Sequence, residues 1–182
     1  MPDRRTTGDG AGQRAEHLRQ QQPSVRALVP AQAVPSACEP AAQRRRPQSS
    51  YAAQFSIYHT VAASLLRRKF GLAEMESEVY NDPEILALGD QVTYEIDPRS
   101  AYPKYFSDEV VITMQDGREL RRREHINRGA AERPIVRDDI VVKYLDNARM
   151  AVSRTRAEQV RDTVFGADSL SARVLEDGLA GR

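Results

Sequence analysis

Residues 108–124 read DEVVITMQDGRELRRRE, and this stretch decides the fold class. Its first half is rich in β-branched residues, and Gln115-Asp116-Gly117-Arg118 then supplies the Asp-Gly signal of a tight hairpin turn. A strand over 108–115 and a return strand over 119–125 follow from it. The return strand is strongly charged. Successive side chains on a strand point to opposite faces, so Arg121, Arg122 and Arg123 cannot all meet a core. The strand is expected at a sheet edge or solvated on one side, with Arg122 opposite its two neighbours. A site that holds a polyanionic acid is the weaker reading of the run.

Working outward, Gln91 to Ile96 alternates, with Val92, Tyr94 and Ile96 on one face, and predicts a third strand. Before it, Asn81-Asp82-Pro83 places a capping residue ahead of a proline at the first helical position, so a two-turn helix over 83–88 should end at Gly89. Leu72 to Tyr80 reads as a short helix or irregular turn. Phe55, Tyr58, Ala62, Leu65 and Leu66 recur at helical spacing and predict an amphipathic helix from Tyr51 to about Arg68, stopped by Gly71. Downstream, a loop carrying Gly129 and Pro134 leads to a helix from Arg137 or Asp138 through Val152. Its apolar face is Ile140, Val141, Tyr144, Leu145 and Ala148. Ser153 can cap a helix over 154–164 closed by Gly166, and Asp168 or Ser169 can open a last one through Leu175. Strands and helices segregated in this way argue an α+β fold: a small domain over 51–136 with a short antiparallel sheet flanked by helices, then C-terminal helices over 137–182.

Residues 1–50 differ in character. They hold six of the ten prolines and eight arginines against four acidic residues, and their apolar residues keep no sustained period. Such composition does not offset the entropy of ordering, so a disordered tail is expected. A basic arm on nucleic acid is disfavoured, because the stretch has no aromatic residue to stack on bases. The remaining chain is mildly acidic, and no nucleic-acid partner is expected. No apolar run could span a bilayer, no secretory leader is visible, and the single cysteine, Cys38, forms no internal disulfide. A cytoplasmic protein away from membranes is the expectation.

Catalytic motifs are absent: there is no phosphate-cradling glycine loop, Cys-x-x-Cys pair, His-Glu-x-x-His helix or Gly-x-Ser-x-Gly elbow. The three histidines, His17, His59 and His125, stand too far apart in sequence to suggest a metal site, and no cofactor is called for. Two positions merit weighing. His59, beside Tyr58 and close to Ser56, could act as an acid or base in a cleft, although a partly buried histidine bonding a carbonyl is the plainer reading. His125 ends a strand just before Arg128 and Gly129, where loops often carry ligand contacts, although simple exposure is the plainer reading there too.

Several segments together resemble the MmgE/PrpD family, the 2-methylcitrate dehydratase group. They are Ala53 to Ala62 with Leu65-Leu66, the Asn81-Asp82-Pro83 helix, the 110–120 hairpin, Arg128-Gly129 with Pro134, and Lys143 to Ala148, in order over about 130 residues. The resemblance implies a small α+β domain lying like a lid over the active site of a large helical domain. It also implies dehydration, hydration, decarboxylation or isomerisation of small carboxylic acids such as 2-methylcitrate, without a metal in most cases. On that basis His59, Tyr58 and Ser56 are substrate-pocket candidates, and His125, Arg128 and Gly129 are loop candidates. Three departures stand out. The family usually has Tyr where His59 stands, the His125-to-Gly129 spacing is one residue longer, and residues 1–50 do not resemble the lead-in segment. The sequence is therefore expected to be a truncated hydro-lyase that lacks the helical domain, is inactive alone, and needs a protein partner or a second copy. The alternative is a non-catalytic interaction or relic protein that pairs through exposed helices.

Overall fold

A computed structural model describes residues 23–167 and 171–180. The chain divides into two compact units, residues 1–130 and 131–182.

The first unit is built on a four-stranded sheet in the order β2-β1-β3-β4, with β1 Ser24–Val29, β2 Val92–Ile96, β3 Asp108–Thr113 and β4 Glu119–Glu124. The hairpin expected from the Asp-Gly dipeptide joins β3 to β4, with Gly117 at φ 82°, a left-handed value that a side chain would resist. The sheet is mixed rather than purely antiparallel, because β1 runs parallel to β2 and antiparallel to β3.

Strand β1 lies within the segment expected to be a disordered tail. From Pro23 onward that segment is folded, while residues 1–22 lie outside the described residues. Val25, Ala27 and Val29 alternate into the core, and Val25 pairs with Val92 on one side and Ile112 on the other. Beyond β1 come a 3-10 turn, Ala31–Ala33, a π turn, Val34–Cys38, and a single turn of helix, α1 Ala41–Arg44.

The long helix expected over 51–68 is two helices, α2 Ser50–Gln54 and α3 Ile57–Arg67. The break follows from capping. Ser49 accepts a hydrogen bond from Ala52 N, and Ser56 accepts one from His59 N, so each serine starts its own helix. Helix α3 ends at Arg68, which takes the left-handed conformation at φ 58° before Gly71 is reached. A 3-10 turn, Leu72–Met75, and α4 Ser77–Tyr80 follow. Then comes α5 Pro83–Asp90, capped by Asp82 and running through Gly89 rather than ending there.

Helices α3 and α5 cover one face of the sheet. The core there is Val25, Tyr58, Ala62, Ala63, Val79, Ile85, Leu88 and Val92. Each large aliphatic side chain in it contributes about 1.5–3 kcal/mol by leaving water. The opposite face carries ion pairs: Arg26 with Glu95, Arg121 with Glu119, and Arg123 with Asp97 and Glu109. The triple-arginine strand therefore behaves as alternation requires. Arg121 and Arg123 join this ionic face, and Arg122 points the other way and pairs with Glu124.

The second unit holds α6 Arg137–Ala148, α7 Arg154–Phe165 and α8 Ala172–Ala180. Ser153 caps α7 by accepting from Arg156 N, and Arg156 donates to Gly178 O, tying α7 to α8. Tyr144 of α6 donates to Ala157 O of α7. The expected opening of the last helix at Asp168 or Ser169 lies outside the described residues.

Candidate functional site

Ser56, Tyr58 and His59 sit at the start of α3, and the structure brings all three into the core, each at most 3% exposed. Ser56 donates its hydroxyl proton to Arg44 O while capping α3. Tyr58 donates to Cys38 O at 3.2 Å, and burial raises its phenol pKa against the pull of Arg45, whose guanidinium lies 4.0 Å from the ring centre. His59 Nε2 is 2.7 Å from Glu74 O, so this nitrogen carries the proton and donates. Among the described residues Nδ1 is buried with no hydrogen-bond partner. Burial lowers the His59 pKa, the bond to Glu74 O opposes that only in part, and the ring is neutral at pH 7. The three side chains thus fasten α3 to residues 38, 44 and 74. The carbonyl-bonding reading of His59 describes its contacts.

His125, Arg128 and Gly129 lie together on the exposed loop that follows β4. Gly129 has φ 96°, which lets the chain reverse there. Asn127 Oδ1 accepts from Phe106 N at 3.1 Å and so joins this loop to residues 98–107. That second loop is held from within by Ser107, whose Oγ accepts from Ala101 N at 2.9 Å. The loops rest on a charged cluster in which Arg123 donates to both Asp97 and Glu109, and Arg99 pairs with Glu109. Asp97 is completely buried at its side chain, and burial would raise its pKa, but the bonds from Arg123 and Arg99 N hold it below the ordinary value. The pocket candidates and the loop candidates therefore occupy different elements, the first enclosed and the second open to solvent.

Sequence reading missed a further group because it falls in residues 23–50. Glu39 accepts from Tyr94 OH at 2.6 Å and from Ala41 N at 2.8 Å, which lowers the Glu39 pKa and pushes the Tyr94 phenol to about 12. Cys38 is fully buried, and burial raises its thiol to about 11, so it is an inert side chain. Arg45 turns inward and donates to Gly89 O and Val92 O. Its neighbours Arg44 and Arg46, with Gln43, Gln48, Ala42 and Ala52, line a cleft of about 460 Å³. The signal for this group was the Arg44-Arg45-Arg46 run followed by Pro47 and the Ser49 cap. In the second unit, Ile140, Val141, Tyr144, Val160, Val164 and Phe165 line an apolar groove of about 180 Å³ with Arg161 at its border.

Comparison with known families matches residues 11–166 to the MmgE/PrpD C-terminal domain. The match takes in much of residues 1–50, which on sequence alone had not resembled the lead-in segment, and it ends at the close of α7. A search of curated proteins gives no match.

Proposed function

The chain belongs to the MmgE/PrpD family, and from that premise we propose that it supplies the small, lid-type domain of a hydro-lyase acting on a di- or tricarboxylic acid such as 2-methylcitrate. The observation that carries this reading is the extent of the family match, which runs unbroken from before β1 to the end of α7. In such a reaction a base takes a proton beside a carboxylate and an acid assists the departing hydroxide, while cationic groups hold the carboxylates.

His125 and Arg128, exposed on the Gly129 loop, are the side chains assigned to the acid: Arg128 as a fork for a carboxylate and His125 as a proton carrier. Ser56, Tyr58 and His59, enclosed in the core, serve by holding α3 in place rather than by touching the acid. Catalysis requires a helical domain of the family type beside this one, whether on the same polypeptide or another. No cofactor or metal takes part, and the protein works in the cytoplasm.

The test combines this protein with the helical domain of a family member and follows 2-methylcitrate by the absorbance of its unsaturated product. Turnover should need both parts, and Arg128→Ala should raise KM roughly tenfold, the loss of one charge-assisted contact. Equal turnover by the helical domain alone would overturn the assignment.

A second reading is favoured by the apolar groove on α6 and α7: a non-catalytic protein that pairs through its exposed helices. Native mass after gentle purification separates the two. A stable complex that is silent toward every carboxylic acid offered supports pairing without catalysis.

A further inference from the structure

The run Arg44-Arg45-Arg46 divides its work in a way that the lyase reading does not use. The middle guanidinium is spent inside the protein, stacked on Tyr58 and donating to two backbone carbonyls. The outer two line the cleft with the carboxamides of Gln43 and Gln48, and no acidic residue is among the side chains lining it. Arg44 is half-buried, and its Nε donates to Glu39 O at 3.2 Å, which fixes the plane of the fork. Among the described residues its two terminal nitrogens have no hydrogen-bond partner. Arg46 is held in place by Asp90 at 2.9 Å and by a bond to Arg45 O. Gln48 donates a side-chain N–H to Arg46 O at 2.9 Å. Ser56 pins the backbone of Arg44 to α3 from below.

We propose that this cleft is an oxyanion-binding site that takes a small molecule through a carboxylate or phosphate group. A planar fork with two uncommitted nitrogens matches two oxygens of either group, and side-chain N–H groups of the lining glutamines can donate to the remaining oxygens. The volume falls within the range of small-molecule sites. Arg46 adds charge more than donors, since its nitrogens already serve Asp90 and a backbone oxygen. The site shares no residue with the loop of His125 and Arg128, and it is tested by binding rather than turnover. Either assignment can therefore fail without the other.

The test titrates the full chain with citrate, and separately with inorganic phosphate and pyrophosphate, by calorimetry and by side-chain nitrogen–proton NMR. Binding should shift the side-chain amide signals of Gln43 and Gln48 and the Nε signal of Arg44 in the wild-type protein, so the result does not depend on a variant folding. Arg44→Lys, which keeps the charge and loses the fork, should weaken binding about tenfold, whereas Arg118→Ala on the β3–β4 turn should leave it unchanged. Response to citrate alone assigns the site to carboxylates, and response to the phosphates alone assigns it to phosphate esters. Equal losses in the two variants, or signals that stay fixed with every probe, would overturn the site.

Discussion

His59 shows how one side chain can be legible in type and illegible in place. Its helical position and apolar neighbours on α3 predicted a histidine that bonds a carbonyl, and Glu74 O, brought near by the turn at Leu72–Met75, is that carbonyl. Nothing in the local pattern could indicate that Nδ1 would be left without a partner. A consequence follows for acid stability. The folded-state pKa lies below the ordinary histidine value, so the unfolded chain binds the extra proton first. The stability contributed by neutral His59 is complete above about pH 6.5 and is lost as pH falls through that value toward the depressed pKa. The nearby Glu74 carboxylate is held by Gly71 N and Lys69. Urea melts of wild type and His59→Gln at pH 7.5 and 5.5 measure it: the wild type should lose more stability than the variant between these points, and parallel losses would assign the acid sensitivity elsewhere. Arg123 is the other residue with much at stake. Its removal leaves Asp97 and Glu109, both buried, with Arg99, and Glu109 also with Arg121 at 3.9 Å, so Arg123→Ala should cost about 2 kcal/mol in a denaturant melt, short of the value for a fully orphaned buried pair because Arg99 still reaches both carboxylates.

At the scale of elements, capping and turn chemistry were the most readable signals. Asp82 and Ser153 cap the helices they were expected to cap, and Asp116-Gly117 turns the hairpin, because these signals are local. Strand β1 escaped for the opposite reason. It has six residues, lies between Pro23 and Pro30, and much of the burial of its inward side chains comes from residues far along the chain, such as Tyr58, Val92 and Tyr94. The Arg44–Arg46 cleft was hidden with it, since a segment read as disordered offers no site. The split of the first long helix escaped because Ser56 looks like one more helical residue until its hydroxyl is seen to bind Arg44 O. Two element ends give predictions. Arg68 closes α3 in a left-handed conformation that costs an L residue about 1 kcal/mol, and it is exposed, so Arg68→Gly should stabilise by roughly 0.5 kcal/mol despite the added chain entropy. A lower midpoint in urea would mean that the Arg68 side chain contributes contacts of its own. Gly178 of α8 lies against Thr163 of α7, where an added Cβ would stand 2.7 Å from Thr163 Cγ2. Gly178→Ala should therefore loosen α8 from α7 despite the higher helix propensity of alanine, and proteolysis near residue 170 should quicken; an unchanged cleavage rate would show that Thr163 simply rotates away.

Over the whole molecule, the two units differ in how much apolar surface they enclose. The first has a sheet covered by α3 and α5 and a core of eight mutually packed buried residues. In the second, Ala157 alone among the described residues is a buried hydrophobic, while Ile140, Val142, Val164, Phe165 and Val174 are each more than 40% exposed. Such a helical unit recovers little hydrophobic free energy against the entropy of ordering its residues. The sequence already carried half of this contrast, since Ile140, Val141, Tyr144, Leu145 and Ala148 read as an apolar helix face. The other half, the weakness of that unit's interior, needed the packing to be seen. Native-state hydrogen exchange should accordingly show α6, α7 and α8 exchanging through small local openings, while β1, β3 and α3 exchange only with global unfolding. Thermal unfolding should then be broad or two-step, and the protein should self-associate as concentration rises, with Val164→Asp reducing that association by charging the groove without touching the first unit. Equal protection in both units, with one sharp melt of a clean monomer, would mean that the helices are stabilised by contacts other than their own, and the argument from exposed apolar faces to a missing partner would fall.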